Sequence, residues 1–175
     1  RLRRGDEAGW LAARAAFGPQ LVDLVLHSAE VKLRPQDIER VLTDLAPTDP
    51  TANPADPLDL QRLALTDYTR GLALVHAGRY PAAREAFAAA YARTTAGRPF
   101  PAQDLLHNKL LREQLAVAVA MADREAALHW IRRTLERSKT PYLVLERQRS
   151  NAALTQLVGP ETWDALTAEL QATRP

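Results

Sequence analysis

The chain has 175 residues, 46% of them hydrophobic and 25% charged, which is enough apolar material for a buried core and argues against a disordered chain. Twenty-three Lys and Arg against 21 Asp and Glu leave +2, a balance that speaks against a nucleic-acid partner, whose phosphates call for a strongly basic surface. The absence of cysteine excludes disulfides, thiolate metal sites and a cysteine nucleophile, while leaving the compartment open.

Aromatic residues make up only 6% of the chain, and Ala and Leu are abundant, so helix is favoured over sheet and an all-α fold is expected. No apolar run approaches the roughly 20 residues that cross a bilayer, so membrane insertion of this segment is not expected. The opening Arg1-Leu2-Arg3-Arg4 fits either the basic flank of a removed membrane span or signal, or a solvated chain end. A cytoplasmic setting is the default expectation, and a missing upstream segment would add a membrane tether.

Asp6 can cap a first helix over about 7–17, which Gly18-Pro19 ends. Leu21, Val22, Val25, Leu26, Ala29 and Leu33 then recur at helical spacing. Pro35 starts a third helix carrying Ile38, Val41, Leu42 and Leu45, which stops at Pro47. Pro47, Pro50, Pro54 and Pro57 make 47–57 an extended loop, since each lacks a donor and biases its predecessor away from helix. Helices follow over 58–77 and 81–93, with the break at Gly78-Arg79-Tyr80-Pro81. After an irregular connection at 95–101, a long helix is expected over 102–121 and another, capped by Asp123, to about Arg137. Short helices at 142–149, around Ala153, Leu154 and Leu157, and beyond Gly159-Pro160 through Trp163, Leu166 and Leu170 complete the chain.

Within Ala64–Thr94 the spacing Gly71-x6-Gly78-x-Tyr80-x2-Ala83-x3-Phe87-x2-Ala90 puts small residues where two helices approach and rings where the gap is filled. This resembles a tetratricopeptide repeat. Looser versions of its second-helix spacing occur at Ile38-x3-Leu42-x2-Leu45 and Ala127-x3-Ile131-x2-Thr134, with anchors at 38, 83 and 127. These are 45 and 44 residues apart, longer than the ideal unit of roughly 34 and equally suited to HEAT-like helical pairs. Asp67 and Arg70 depart from the pattern, standing where the family prefers a ring and an aliphatic residue, and Ala122 replaces the turn glycine of the third pair. The last segment, Ala153-Leu154-x2-Leu157 through Trp163-x2-Leu166, is similar to the caps that close such repeats in bacterial proteins.

The resemblance implies one helical-repeat domain, a solenoid of about three hairpins with a C-terminal helical cap. Its parts would be 1–46 with a degenerate unit, the loop 47–57, the best unit 58–94, the loop 95–101, a third unit 102–138 and the cap 139–175. Residues transferred from the inward face of such hairpins give a groove of Asp23, His27 and Glu30, then Tyr68, Leu72, Val75 and His76, then Lys109, Arg112 and Ala116. That surface runs from acidic through apolar to basic, so a peptide basic at one end and carboxylate-bearing at the other would suit it, with Lys109 or Arg112 holding the carboxylate.

Chemistry is not in view. Phosphate-cradling glycine motifs, H-E-x-x-H and G-x-S-x-G are all absent. The helical pairs Asp104 with His107 and Glu125 with His129 have metal-like spacing but no convergent third ligand, so no metal and no cofactor is expected. Asp56 and Asp59 read as helix-start charge. Arg132, Arg133, Arg137, Lys139, Arg147 and Arg149 crowd the third pair and its follower, interleaved with Asp123, Glu125, Glu136 and Glu146 as on a solvated mixed-charge face. The expectation is a non-catalytic module that binds a partner peptide or protein, within a larger bacterial regulatory or assembly protein. Two alternatives stay open: a structural domain that self-associates into a homo-oligomer, and a helical effector-sensing domain that holds a small ligand near the proline-rich loop.

Overall fold

A computed structural model describes residues 35–49, 52, 54–96, 99–100 and 102–172. The expected helices over 7–17 and from Pro19 lie outside these residues. All regular structure among the described residues is α-helical, in eight helices. They fall into two compact units, Arg1–Gln103 and Asp104–Pro175.

The first unit contains α1 (Pro35–Asp44), α2 (Pro57–His76) and α3 (Tyr80–Thr95). Asp56 caps α2, its Oδ1 accepting from the Leu58 amide at 2.8 Å, and Pro57 takes the first helical position, where a missing N–H is harmless. α2 and α3 fold back on each other at Gly78, whose φ of 71° is the left-handed conformation that glycine adopts without a Cβ clash. There the Gly78 amide donates to Val75 O and the Arg79 amide reaches five residues back to Leu74 O, satisfying carbonyls that the helix end would leave unpaired. Seven residues before the turn, Gly71 lies so close to Phe87 that a Cβ built on it would sit 2.4 Å from the ring. Gly71 therefore sets how near the two helices come. α1 packs on α2, with Ile38 and Leu42 buried.

The second unit contains α4 (Gln103–Ala120), α5 (Arg124–Arg137), α6 (Pro141–Arg149), α7 (Ala152–Val158) and α8 (Pro160–Ala172). Ala102, expected in α4, instead has φ 57° and stays outside it. Asp123 caps α5 through the Ala126 amide, and Asn151 caps α7 through the Leu154 amide. Leu115 and Ala118 of α4, Ala127, Ile131 and Leu135 of α5, Leu145 of α6 and Leu154 and Val158 of α7 share one core with Trp163 and Leu166 of α8. Trp163 is fully buried in it. Gly159, at φ 88°, turns the chain from α7 into Pro160 at the start of α8. Arg124 fastens that corner to α5, its Nε donating to Val158 O and its NH2 to Thr162 Oγ1, each at 3.1 Å.

The α2–α3 and α4–α5 turns are copies in hydrogen-bond terms. Ala77 to Ala73 O, Gly78 to Val75 O, Arg79 to Leu74 O and Ala83 to Arg79 O recur as Met121 to Val117 O, Ala122 to Val119 O, Asp123 to Ala118 O and Ala127 to Asp123 O, each shifted by 44 residues. Ala122 takes the place of Gly78, at φ 53°.

Candidate functional site

Of the residues expected to line a groove, Asp23, His27 and Glu30 lie outside the described residues. Tyr68 and Leu72 are core residues, which corrects the expectation that they face a partner. Tyr68 has 0% exposure, and its ring centroid is 5.9 Å from that of Phe87. Leu72 is buried beside it in sequence terms, one turn on. The physical reason is that α2 packs against both α3 and α1, and the Tyr68 ring is taken up by the seam with Phe87. Val75 is half-buried and His76, in the last turn, is exposed. Lys109, Arg112 and Ala116 belong to α4 and so to the other compact unit.

Those last three residues do share a surface. Leu105, Lys109, Arg112 and Ala116 are spaced i, i+4, i+7, i+11, which aligns them along one side of a helix. Leu105 is 60% exposed, Arg112 and Ala116 are exposed and Lys109 is half-buried. The opposite side of α4 carries Leu106, Leu110, Leu111, Leu115 and Ala118, all buried. Arg112 donates from Nε and NH2 to Oε1 of adjacent Glu113, at 3.1 and 2.9 Å. The outcome is an open stripe of an aliphatic head, two cations and a small residue. It can hold an apolar side chain next to a carboxylate, with Arg112 exchanging Glu113 for the incoming anion.

The arginines of α5 and α6 are mostly spoken for. Arg132 pairs with Glu169 at 2.9 Å, Arg133 with Glu136 at 3.1 Å, Arg137 with Asp104 at 2.9 Å and Arg149 with Asp164 at 3.7 Å. The hydrogen bond between Arg132 and Glu169 holds the arginine above and the carboxylate below their ordinary pKa values. This is a mixed-charge face of exposed ion pairs.

Neither metal-like pair gathers a third ligand: among the described residues no group of three His, Asp or Glu side chains converges. Asp104 accepts from Arg137, and the ring of His129 stands edge-on to Trp130 at 4.7 Å. His107 is buried, and that burial, followed by the charge of Arg137, lowers its pKa below 6.5 against the opposing pull of Asp104. No helix among the described residues is long and apolar enough to cross a membrane.

One polar cluster was not anticipated. Arg93 on α3 and Asp67 on α2 form a buried ion pair, 3.0 Å from Nε to Oδ2, with side-chain exposures of 5% and 4%. Thr48, from the proline-rich connection, joins them: its hydroxyl lies 2.7 and 2.8 Å from the two Asp67 oxygens and accepts from Arg93 NH2 at 2.8 Å. The signal that could have found this cluster was Asp67, a carboxylate at the position where the resemblance calls for a ring.

No family model matches the chain, and neither a curated protein nor a solved structure does.

Proposed function

We propose that this chain is a non-catalytic interaction module built of repeated helical hairpins, and that it holds a partner peptide or protein on the outer stripe of α4. The observation that carries this reading is the stripe itself, an exposed leucine aligned with two cations on a helix whose other side is core. A segment presenting an apolar side chain one or two turns from a carboxylate fits it, in the manner of a helix-surface or carboxylate-capture complex. The repetition of one turn at a 44-residue interval supports the repeat reading, since stacked hairpins are built for surface recognition. Tyr68 and Leu72 act on this reading through packing alone.

The test is selection of peptides from a random displayed library on the immobilised chain. The recovered peptides are expected to pair an acidic residue with an aliphatic or aromatic one. Arg112→Glu is expected to weaken a recovered peptide roughly tenfold or more, as loss of a charge-assisted hydrogen bond implies, and Leu105→Ser by a similar factor through lost apolar burial, each with an unchanged melting temperature. Peptides that bind both variants as tightly as the parent chain would reject the stripe. A concentration-independent dimer by light scattering that Leu105→Ser converts to monomer would replace the partner with a second copy of the chain.

A further inference from the structure

Among the described residues, α1 and the start of the connection after it are bonded to the α2–α3 hairpin by arginines. Arg70 NH1 donates to the carbonyls of Leu42 at 3.1 Å and Leu45 at 2.6 Å, closing the end of α1, where the last carbonyls lack helical partners. Arg93 spreads over the connection beyond it: besides Asp67 and Thr48, it donates from NH2 to Asp49 O at 2.9 Å and from NH1 to Ala52 O at 2.6 Å. Arg79, at the hairpin turn, pairs with Glu39 of α1 across exposed surface. Three arginines from the hairpin thus grip one segment, largely by its main chain.

Among the described residues the apolar share of that grip is two buried side chains, with Val41 and Leu45 half-buried. Ile38 and Leu42 are the buried aliphatic residues of α1 among those described, whereas α2 and α3 bury Leu60, Ala64, Tyr68, Leu72, Ala83 and Phe87. A buried ion pair adds little net stability, because desolvation offsets its attraction, but it fixes the position of whatever it bonds. Segments with few apolar contacts and hydrogen bonds that water can replace open locally, below the free energy of global unfolding.

We propose that α1 together with Leu45–Asp49 is a latched strap, which detaches from the α2–α3 hairpin as a unit while the hairpin stays folded. The cluster of Asp67, Arg93 and Thr48 is the latch. Arg93 contributes donors that only the docked strap satisfies in full, and Asp67 keeps the guanidinium turned toward it. Opening returns the carbonyls of Leu42, Leu45 and Asp49 to water and uncovers the side of α2 on which α1 packs.

Hydrogen exchange followed by mass spectrometry on the intact chain tests this. In the parent chain, peptides covering α1 are expected to exchange faster than those covering the centres of α2 and α3. Arg93→Gln is expected to speed exchange in α1 by roughly ten- to a hundredfold, the range that hydrogen bonds to a charged group imply, and the α2 and α3 centres by less, since it also leaves Asp67 of the hairpin unpaired. Thr48→Val alters the latch from the strap side, leaves both hairpin residues in place, and is expected to move α1 in the same direction by less. Equal protection of α1 and the hairpin in the parent chain overturns the proposal. So does an equal acceleration of both by Arg93→Gln. Should Arg93→Gln not fold, Thr48→Val decides alone, and unchanged α1 exchange in it overturns the latch.

Discussion

The hairpins α2–α3 and α4–α5 make the same turn and fill it with different residues. Their four turn hydrogen bonds coincide at a 44-residue shift, yet Gly78 corresponds to Ala122, Gly71 to Leu115 and Phe87 to Ile131. In the first hairpin a glycine meets a ring, and in the second two branched aliphatic residues belong to one core. The same turn is therefore built over a seam of different residue types and different side-chain volume, each filled in its own way. The outer stripe separates the two further. Tyr68 and Leu72 correspond to Arg112 and Ala116, and the first pair is buried while the second is open. A shared backbone plan yields a core position in one hairpin and a surface position in the other.

The strongest way to break this comparison is at the seam. Phe87→Ala is expected to destabilise the first unit by about 3–5 kcal/mol, the usual loss for emptying an aromatic core site. Gly71→Leu alone is expected to be similarly harmful, since even a Cβ at 71 would collide with the Phe87 ring. Combined, the two changes put a leucine where the ring was, as Leu115 stands in the other hairpin. The double variant is expected to be more stable than the sum of the single losses predicts, by about 2 kcal/mol or more in chemical denaturation. Additive losses would mean that the two seams are unrelated.

Much of this architecture is readable along the chain, because it is written in local chemistry. Asp56, Asp123 and the prolines at helix starts announce their caps, and Gly78 announces its turn; each acts within three or four residues. What escaped reading is non-local. Arg93 finds Asp67 26 residues away and Thr48 45 away, and nothing in either neighbourhood pairs them. The repeat resemblance assigns Tyr68 to a groove, whereas its ring is buried near Phe87 of α3. Arg112, at the corresponding position of α4, is exposed.

The turn offers a smaller and sharper comparison. Ala122 sits at φ 53° where Gly78 sits at φ 71°, and a side chain in this region is disfavoured by about 1 kcal/mol or somewhat more. Ala122→Gly is accordingly expected to stabilise the second unit by about 1 kcal/mol, and Gly78→Ala to destabilise the first by a similar amount. No Cβ neighbour stands within 4 Å of Gly78, so the second change reports backbone conformation without a packing term. Stability changes of the same sign would show that the two turns differ in the energy of their left-handed residue despite matching bonds.

The smallest expected effect separates the hairpins by pH. His107 on α4 is buried, with its pKa held below 6.5 first by desolvation and then by Arg137; its counterpart 44 residues earlier is Leu63, which does not titrate. In the unfolded chain the imidazole takes a proton as pH falls through 6.5, while in the folded unit it stays neutral until a lower pH. Between those two values the unfolded state binds more protons, so stability rises with pH. The melting midpoint is therefore expected to fall as pH drops from about 7.5 through 6.5 and to level off below the folded pKa. His107→Leu, which copies the first hairpin, should flatten this slope. Arg137→Gln should reduce it in part, because it removes one of the two causes that keep the ring neutral and leaves Asp104 pulling the other way. A slope unaltered in His107→Leu would assign the pH dependence to other groups.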